Sequence, residues 1–235
     1  GGLYDNDLEL NLNEPNQLGD VGWFKPHKYV GVWWEMHLET KSWASGATHG
    51  ATNANVRRHI DFAAKNGFRG VLVEGWNKGW DGQWFANGAD FSFTEAYPDF
   101  DIEAVCAHAR SKGVQLIVHH ETSANLTNYE NQLEAGLDLV KKVGSNYVKS
   151  GYVSDAGDAV WVDDKGIRHY EYYDSQRMID HHMTVIKAAE VSTQPVPAKP
   201  SNNPKRTKRP SPDCHKPMTS RMPAQRPELQ ARLTW

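Results

Sequence analysis

The chain has 235 residues, of which 39% are hydrophobic and 23% charged, the proportions of an ordinary globular protein. The average conceals a break: residues 191–235 hold nine of the twelve prolines, nine of the 26 Lys+Arg, two acids and no glycine, for a net charge of +7 against −10 for residues 1–190. A Pro-rich basic segment of that kind cannot build a core, so the globular part is the acidic first 190 residues, with eight of the nine tryptophans.

No apolar run is long enough to span a membrane. Gly1-Gly2-Leu3-Tyr4-Asp5 shows no basic and apolar leader and no initiator Met, so the chain is expected to start inside a longer protein. Cys106 and Cys214 are too far apart in character and place for a disulfide framework or a zinc site. The negative body argues against nucleic acid as a partner, and the basic run Lys205–Arg209 reads as a solvated stretch.

Residues 1–27 are turn-rich and read as an entry segment. Tyr29–Trp34 is a short apolar β-rich run, a buried strand. Thr52 or Asn53 caps a helix to about Asn66, closed by Gly67. Gly70–Glu74 is a second strand, followed by a long Trp/Gly/Asn loop over 75–100. Asp101 caps a helix through Lys112, with Gly113 as its stop, and Val114–His120 is a third strand. Asn125 or Thr127 opens a helix through Lys142, closed by Gly144, and Asn146–Ser150 is a fourth strand. Tyr170–Glu190 reads as a fourth helix, in which His181-His182 is expected at the surface, whereas Cys106 is expected in the core.

Four strand–helix alternations with apolar strands mean βα units and a parallel sheet covered on both faces. No G-x-G-x-x-G follows the first strand, which counts against a dinucleotide-binding sheet. The expected fold is α/β, a partial (β/α)8 TIM barrel of about the first four βα units over residues 28–190, with 191–235 as a disordered tail. A change of reading frame or a chimeric gene end near residue 190 would account for the break; a genuine disordered tail is the alternative.

In such folds chemistry gathers at the C-terminal ends of the strands. Those ends read Trp33-Trp34-Glu35-Met36-His37, Glu74-Gly75-Trp76-Asn77, His119-His120-Glu121-Thr122 and Lys149-Ser150-Gly151-Tyr152. Carboxylates with tryptophans and no phosphate loop suit a neutral, polyhydroxylated ligand: acids move protons at glycosidic oxygens, and indoles such as Trp34 and Trp76 stack on sugar rings. Trp80 and Trp84 serve equally well as lid packing. His119 and Glu121, two apart on a strand, share a face, and His120 points the other way. A metal-dependent barrel hydrolase built on His119 and Glu121 would need a third ligand, with His37 and Lys149 as the candidates.

The segments YVGVWWEMH (29–37), GVLVEGWNKGW (70–80), VHHETS (118–123) and VKSGY (148–152) resemble glycoside hydrolase family 97, in its inverting α-glucosidase branch, over about residues 10–190. The resemblance implies a (β/α)8 catalytic barrel preceded by a β-sandwich, and a calcium-dependent, exo-acting enzyme of the bacterial periplasm or cell surface. It makes Glu121 the base-side glutamate and His119, Lys149 and Glu74 substrate contacts. Gly151 stands where retaining members carry an aspartate nucleophile, which implies inversion by an activated water. The resemblance places the family's general acid and most of its calcium-ligand glutamates beyond residue 190, and one further ligand in the preceding β-sandwich; none is expected to have a counterpart here. The chain is therefore expected to be a fragment that is inactive alone, with α-glucosides and malto-oligosaccharides as substrates of the parent. The alternatives are a non-catalytic carbohydrate-binding fragment and the metal-dependent hydrolase.

Overall fold

The computed structural model describes residues 26–153, 158–193 and 232–233. In chain order these form β1 (Tyr29–Val32), α1 (Trp34–His37), α2 (Asn53–Lys65), β2 (Gly70–Val73), α3 (Ile102–Ser111), β3 (Gln115–Glu121), α4 (Leu126–Lys142), β4 (Tyr147–Gly151), β5 (Asp158–Val162), β6 (Arg168–Tyr172), α5 (Gln176–Thr193) and β7 (Arg232–Leu233). β1 to β4 pair in sequence order, all parallel, and β7 adds to the outer side of β4. This is the rising half of a (β/α)8 barrel, the α/β fold expected from the sequence.

The three long crossover helices start where a side chain can take an orphan amide. Thr52 accepts from the Asn55 N–H, Asp101 from Ala104 and Asn125 from Asn128. Each ends before a glycine at positive φ, Gly67, Gly113 and Gly144.

Strand parity divides the sheet's side chains between two faces. Val71, Val73, Leu116, Val118 and Val148 join the large core cluster that also holds Val56, Ile60, Val105 and Leu137 of the helices. Each such fully buried aliphatic side chain contributes roughly 1.5–3 kcal/mol. Leu72, Ile117 and Tyr147 face the other way and form a small separate cluster with Trp33. That second face is the barrel interior. Continuing the parity along each strand puts Glu74, His119, Glu121, Lys149 and Gly151 on the interior side and His120 on the helix side.

Three expectations change. β1 stops at Val32, and the chain winds at once into the single turn α1. The helix expected over 170–190 begins only at Gln176. Before it, β5 and β6 form an antiparallel hairpin. Its turn is made by Asp163, whose Oδ1 accepts from the Lys165 and Ile167 amides, with Gly166 at φ 77°. The alternating burial of Arg168–Tyr172 is that of a strand with one face in solvent. Finally, His181 is fully buried, not on the surface, while Cys106 is in the core as expected. The entry segment up to residue 25 and residues 194–231 of the tail lie outside the described residues; Arg232–Leu233 pair with Tyr147 and Val148. No helix among the described residues is long and apolar enough to cross a membrane.

Candidate active site

A cavity of about 490 Å³ opens at the C-terminal ends of β2, β3 and β4, lined by Trp33, His37, Trp43, Glu74, Trp84, His119, Glu121, Lys149, Gly151, Tyr152, Val153 and Tyr173. Its floor is polar and its walls are aromatic.

Glu121, the last residue of β3, is 2% exposed. Its Oε1 accepts from three backbone amides, Thr122 at 3.0 Å, Ser123 at 2.7 Å and Val153 at 3.0 Å. The first two reach back because the chain turns sharply: Ser123 and Ala124 both take left-handed φ, 45° and 53°, a cost of about 1–3 kcal/mol each. β5 secures that turn, with the Val160 amide donating to the Ala124 carbonyl at 2.7 Å. The other oxygen, Oε2, lies 3.8 Å from His119 Nε2. Burial pushes the Glu121 carboxyl up to about 7, against the opposing pull of the Ser123 and Val153 amides. A carboxylate pinned at one oxygen, bare at the other and poised near neutrality has the properties of a general base.

Glu74 sits just past β2, with Oε1 3.6 Å from Lys149 Nζ and 4.0 Å from His119 Nε2. Its Oε2 accepts from the Trp43 indole N–H at 3.2 Å. Burial raises its carboxyl and Lys149 opposes that rise. Burial, with Lys149 and His120 adding to it, holds His119 well below its ordinary value, so its ring is neutral at pH 7. The two carboxylates therefore flank an uncharged imidazole, and Lys149 stands beside Glu74 alone.

Gly151 closes the floor. A Cβ there would lie 2.1 Å from Glu121 Oε2 and 2.7 Å from His119 Nε2. The space that a side chain at 151 would need is the space that the bare oxygen of Glu121 fills.

Of the residues expected at the site, Glu121, His119, Lys149, Glu74 and Gly151 come together. The two expected indoles do not join them. Gly75, at φ 76° and with room for no Cβ beside the Trp43 carbonyl, breaks the strand's parity, so Trp76 turns into the core and donates to the His119 carbonyl at 2.7 Å. Trp34 is 55% exposed on α1, outside the cavity wall. The wall's indoles are Trp33, Trp43 and Trp84, with Trp43 stacked on the buried Trp80 at 6.2 Å. His37, Tyr152 and Tyr173 complete it. Trp33, His37 and Tyr152 fall in the strand-end segments read from the sequence; for Trp43, Trp84 and Tyr173 only the aromatic density between the strands was a hint, since loop residues have no parity to follow.

Glu35 turns away from the cavity, accepting from Asn55 Nδ2 at 2.8 Å and facing Arg58 at 3.4 Å. Calcium takes about six to eight oxygen ligands. Here one oxygen of Glu121 is spent on amides and Glu74 faces a lysine, and no group of three or more His, Cys, Asp or Glu gathers for a metal among the described residues. These residues do not fit the ion, nor the three-ligand set with His37.

A parallel barrel segment with buried carboxylates at the strand ends and indole walls is the frame of a glycoside hydrolase. The family description Glycoside hydrolase 97 matches residues 33–213, and the chain belongs to that family. A family 97 enzyme from Pseudoalteromonas sp. strain K8, solved in complex with acarbose, is 51% identical, with a TM-score of 0.78 over 81% of this chain and 29% of that one. A variant from the same source, solved with panose, matches equally. A retaining alpha-galactosidase of Bacteroides thetaiotaomicron is 26% identical over 113 residues, 48% of this chain and 15% of that protein. The chain thus spans under a third of the length of these relatives.

Proposed function

We propose that this chain supplies the base-side half of an inverting α-glucoside hydrolase site. Glu121 Oε2 takes a proton from a water that attacks the anomeric carbon, while Glu74, Lys149 and the neutral His119 hold the hydroxyls of the terminal sugar. Trp33, Trp43 and Trp84 offer ring faces to it. The proton moves from water to Glu121, the glycosidic bond breaks as the water oxygen bonds to carbon, and the leaving oxygen needs an acid from residues beyond these.

The observation that carries this reading is the missing side chain at 151. A retaining site needs a carboxylate that can reach carbon; a side chain at 151 would collide with Glu121 Oε2 at 2.1 Å. The acarbose and panose in the structures of the 51% identical enzyme and its variant support the substrate class. The curated relative's retaining α-galactosidase activity supports a second reading, at half that identity. Any calcium, and the periplasmic or cell-surface location that the family resemblance implies, belong to the same proposal, with the calcium ligands outside the described residues.

The test is a chimera in which this segment replaces its counterpart in the Pseudoalteromonas enzyme. Proton NMR should show β-glucose released first from an α-glucoside. First release of the α-anomer, or a preference for α-galactosides, would establish the second reading.

A further inference from the structure

Behind the cavity wall runs a chain of part-buried polar contacts, with His181 fully buried at its middle, that the reaction above does not use. Arg177, in the first turn of α5, grips Glu130 of α4 with both terminal guanidinium nitrogens, Nη1 and Nη2, at 2.8 and 2.7 Å, the bidentate geometry of a strong charge-assisted pair. Glu130 also faces His181 Nδ1 at 2.8 Å, and His181 Nε2 lies 2.9 Å from the Tyr152 hydroxyl. Burial raises the Glu130 carboxyl, but the hydrogen bonds from His181 and Arg177 outweigh that and bring it down to about 2. An ionised carboxylate only accepts, so His181 Nδ1 carries a proton toward Glu130, and Nε2 meets the Tyr152 hydroxyl.

Tyr152 is held at its other end too. Its carbonyl accepts from the Tyr173 hydroxyl. On one side of it, the Gly151 carbonyl takes both the amide and the hydroxyl of Thr122, at 2.9 and 2.7 Å. On the other, the Val153 amide donates to Glu121 Oε1. Of the three amides on that oxygen, those of Thr122 and Ser123 belong to Glu121's own turn; Val153 alone comes from another strand end.

We infer that Tyr152 is a positioning residue: the Arg177–Glu130–His181 chain fixes its phenol, and through it the Val153 N–H that orients the Glu121 carboxylate. The hairpin and α5 thereby acquire a role beyond covering the sheet, since Tyr173, Arg177 and His181 all belong to that segment. The catalytic meaning of the brace rests on Glu121 being the base proposed above; the brace itself does not.

The test uses the 235-residue chain with 13C-labelled glutamate. Tyr152→Phe keeps the ring and removes only the hydroxyl. A slackened Val153 arm should raise the Glu121 titration midpoint by about half to one pH unit and speed exchange of the Val153 amide about tenfold. Glu130→Gln, acting through His181, should do the same, and carries the test if Tyr152→Phe does not fold. Ile60→Val, a buried change in α2, supplies the control for a general loss of stability and should leave both readings unmoved. Unchanged midpoint and exchange in folded Tyr152→Phe or Glu130→Gln would overturn the inference, as would equal changes in Ile60→Val. Failure of the base assignment would appear elsewhere, as an unaltered rate in Glu121→Gln, with the titration result standing.

Discussion

β1 and β3 both pair with β2, both run toward the cavity on largely apolar residues and both reach a carboxylate at or just past their C-terminal ends, yet the two carboxylates end up in opposite situations. Glu35 has a side chain 29% exposed beside Arg58 and Asn55. Glu121 is sealed at the cavity floor with backbone amides on one oxygen and a neutral imidazole near the other. The difference arises in the backbone. β3 stays extended for seven residues, through Glu121 itself, so parity aims that side chain inward. β1 is extended for only four, and Glu35 falls on the helical turn after it. Being a carboxylate near a strand end is not enough; the ladder has to reach the carboxylate, as it does at Glu121 and, one residue past β2, at Glu74, whose amide still donates to the Val32 carbonyl at 3.1 Å.

The largest effect that sharpens this contrast belongs to Glu121. In the chimera, Glu121→Gln should lower kcat by about 10²–10⁴-fold, the usual contribution of a positioned base, while acarbose still binds. With its carboxyl near 7, the parent rate should rise with pH through neutrality as the base ionises, and that limb should vanish in the variant. Steady-state kinetics from pH 5 to 9 check both. An unchanged rate would place Glu121 with Glu35, as a carboxylate without chemical work.

A second, smaller effect is thermodynamic and needs no turnover. The folded carboxyl of Glu121 is raised above its unfolded value, so between about pH 4.5 and 7 the native state binds the extra proton. The contribution of this group is therefore present in full below the unfolded value and is lost as pH rises through about 7, by on the order of 3 kcal/mol. His119 opposes this: held well below its ordinary value, it costs stability as pH falls below about 6.5. Gln does not ionise, so in urea denaturation Glu121→Gln should gain stability relative to the parent as pH rises from about 4.5 to 7, and the two should converge toward acid. A difference independent of pH would mean that the Glu121 carboxyl is hydrated.

The βα units were readable because caps, glycine stops and apolar strands are local signals. Thr52, Asp101 and Asn125 cap where their positions in the sequence put them. The interior residues Glu74, His119, Glu121 and Lys149 follow from parity alone. Parity fails where the backbone stops being a strand, at Val32 and at Gly75, and there the indoles Trp34 and Trp76 point elsewhere than the sugar-stacking role required. The hairpin did carry its signs: Asp163-Asp164-Lys165-Gly166 between two β-rich runs is turn chemistry. The helical reading of Tyr170–Glu190 absorbed its second strand. His181 was not readable as a buried group, because its partners Glu130 and Tyr152 lie 51 and 29 residues away in the chain. Only the docking of α5 on α4 brings them together.

The smallest effect belongs to Glu35, and it tests the other half of the contrast. Arg58 is well exposed and its contact with Glu35 is long, at 3.4 Å, so the ion pair contributes about 0–1 kcal/mol. The Asn55 Nδ2 bond at 2.8 Å is better made, but that nitrogen also donates to the Gly50 carbonyl at 2.9 Å. Glu35→Gln keeps an acceptor at the same place and the length of the side chain. The variant should lose no more than about 1 kcal/mol in urea denaturation, and part of that should disappear at high salt. In the chimera it should leave kcat and KM within about twofold of the parent, because a change under half a kcal/mol moves a rate no further. A fall as large as that of Glu121→Gln would mean that Glu35 reaches the reacting sugar, and strand length would then no longer explain which carboxylate does the chemistry.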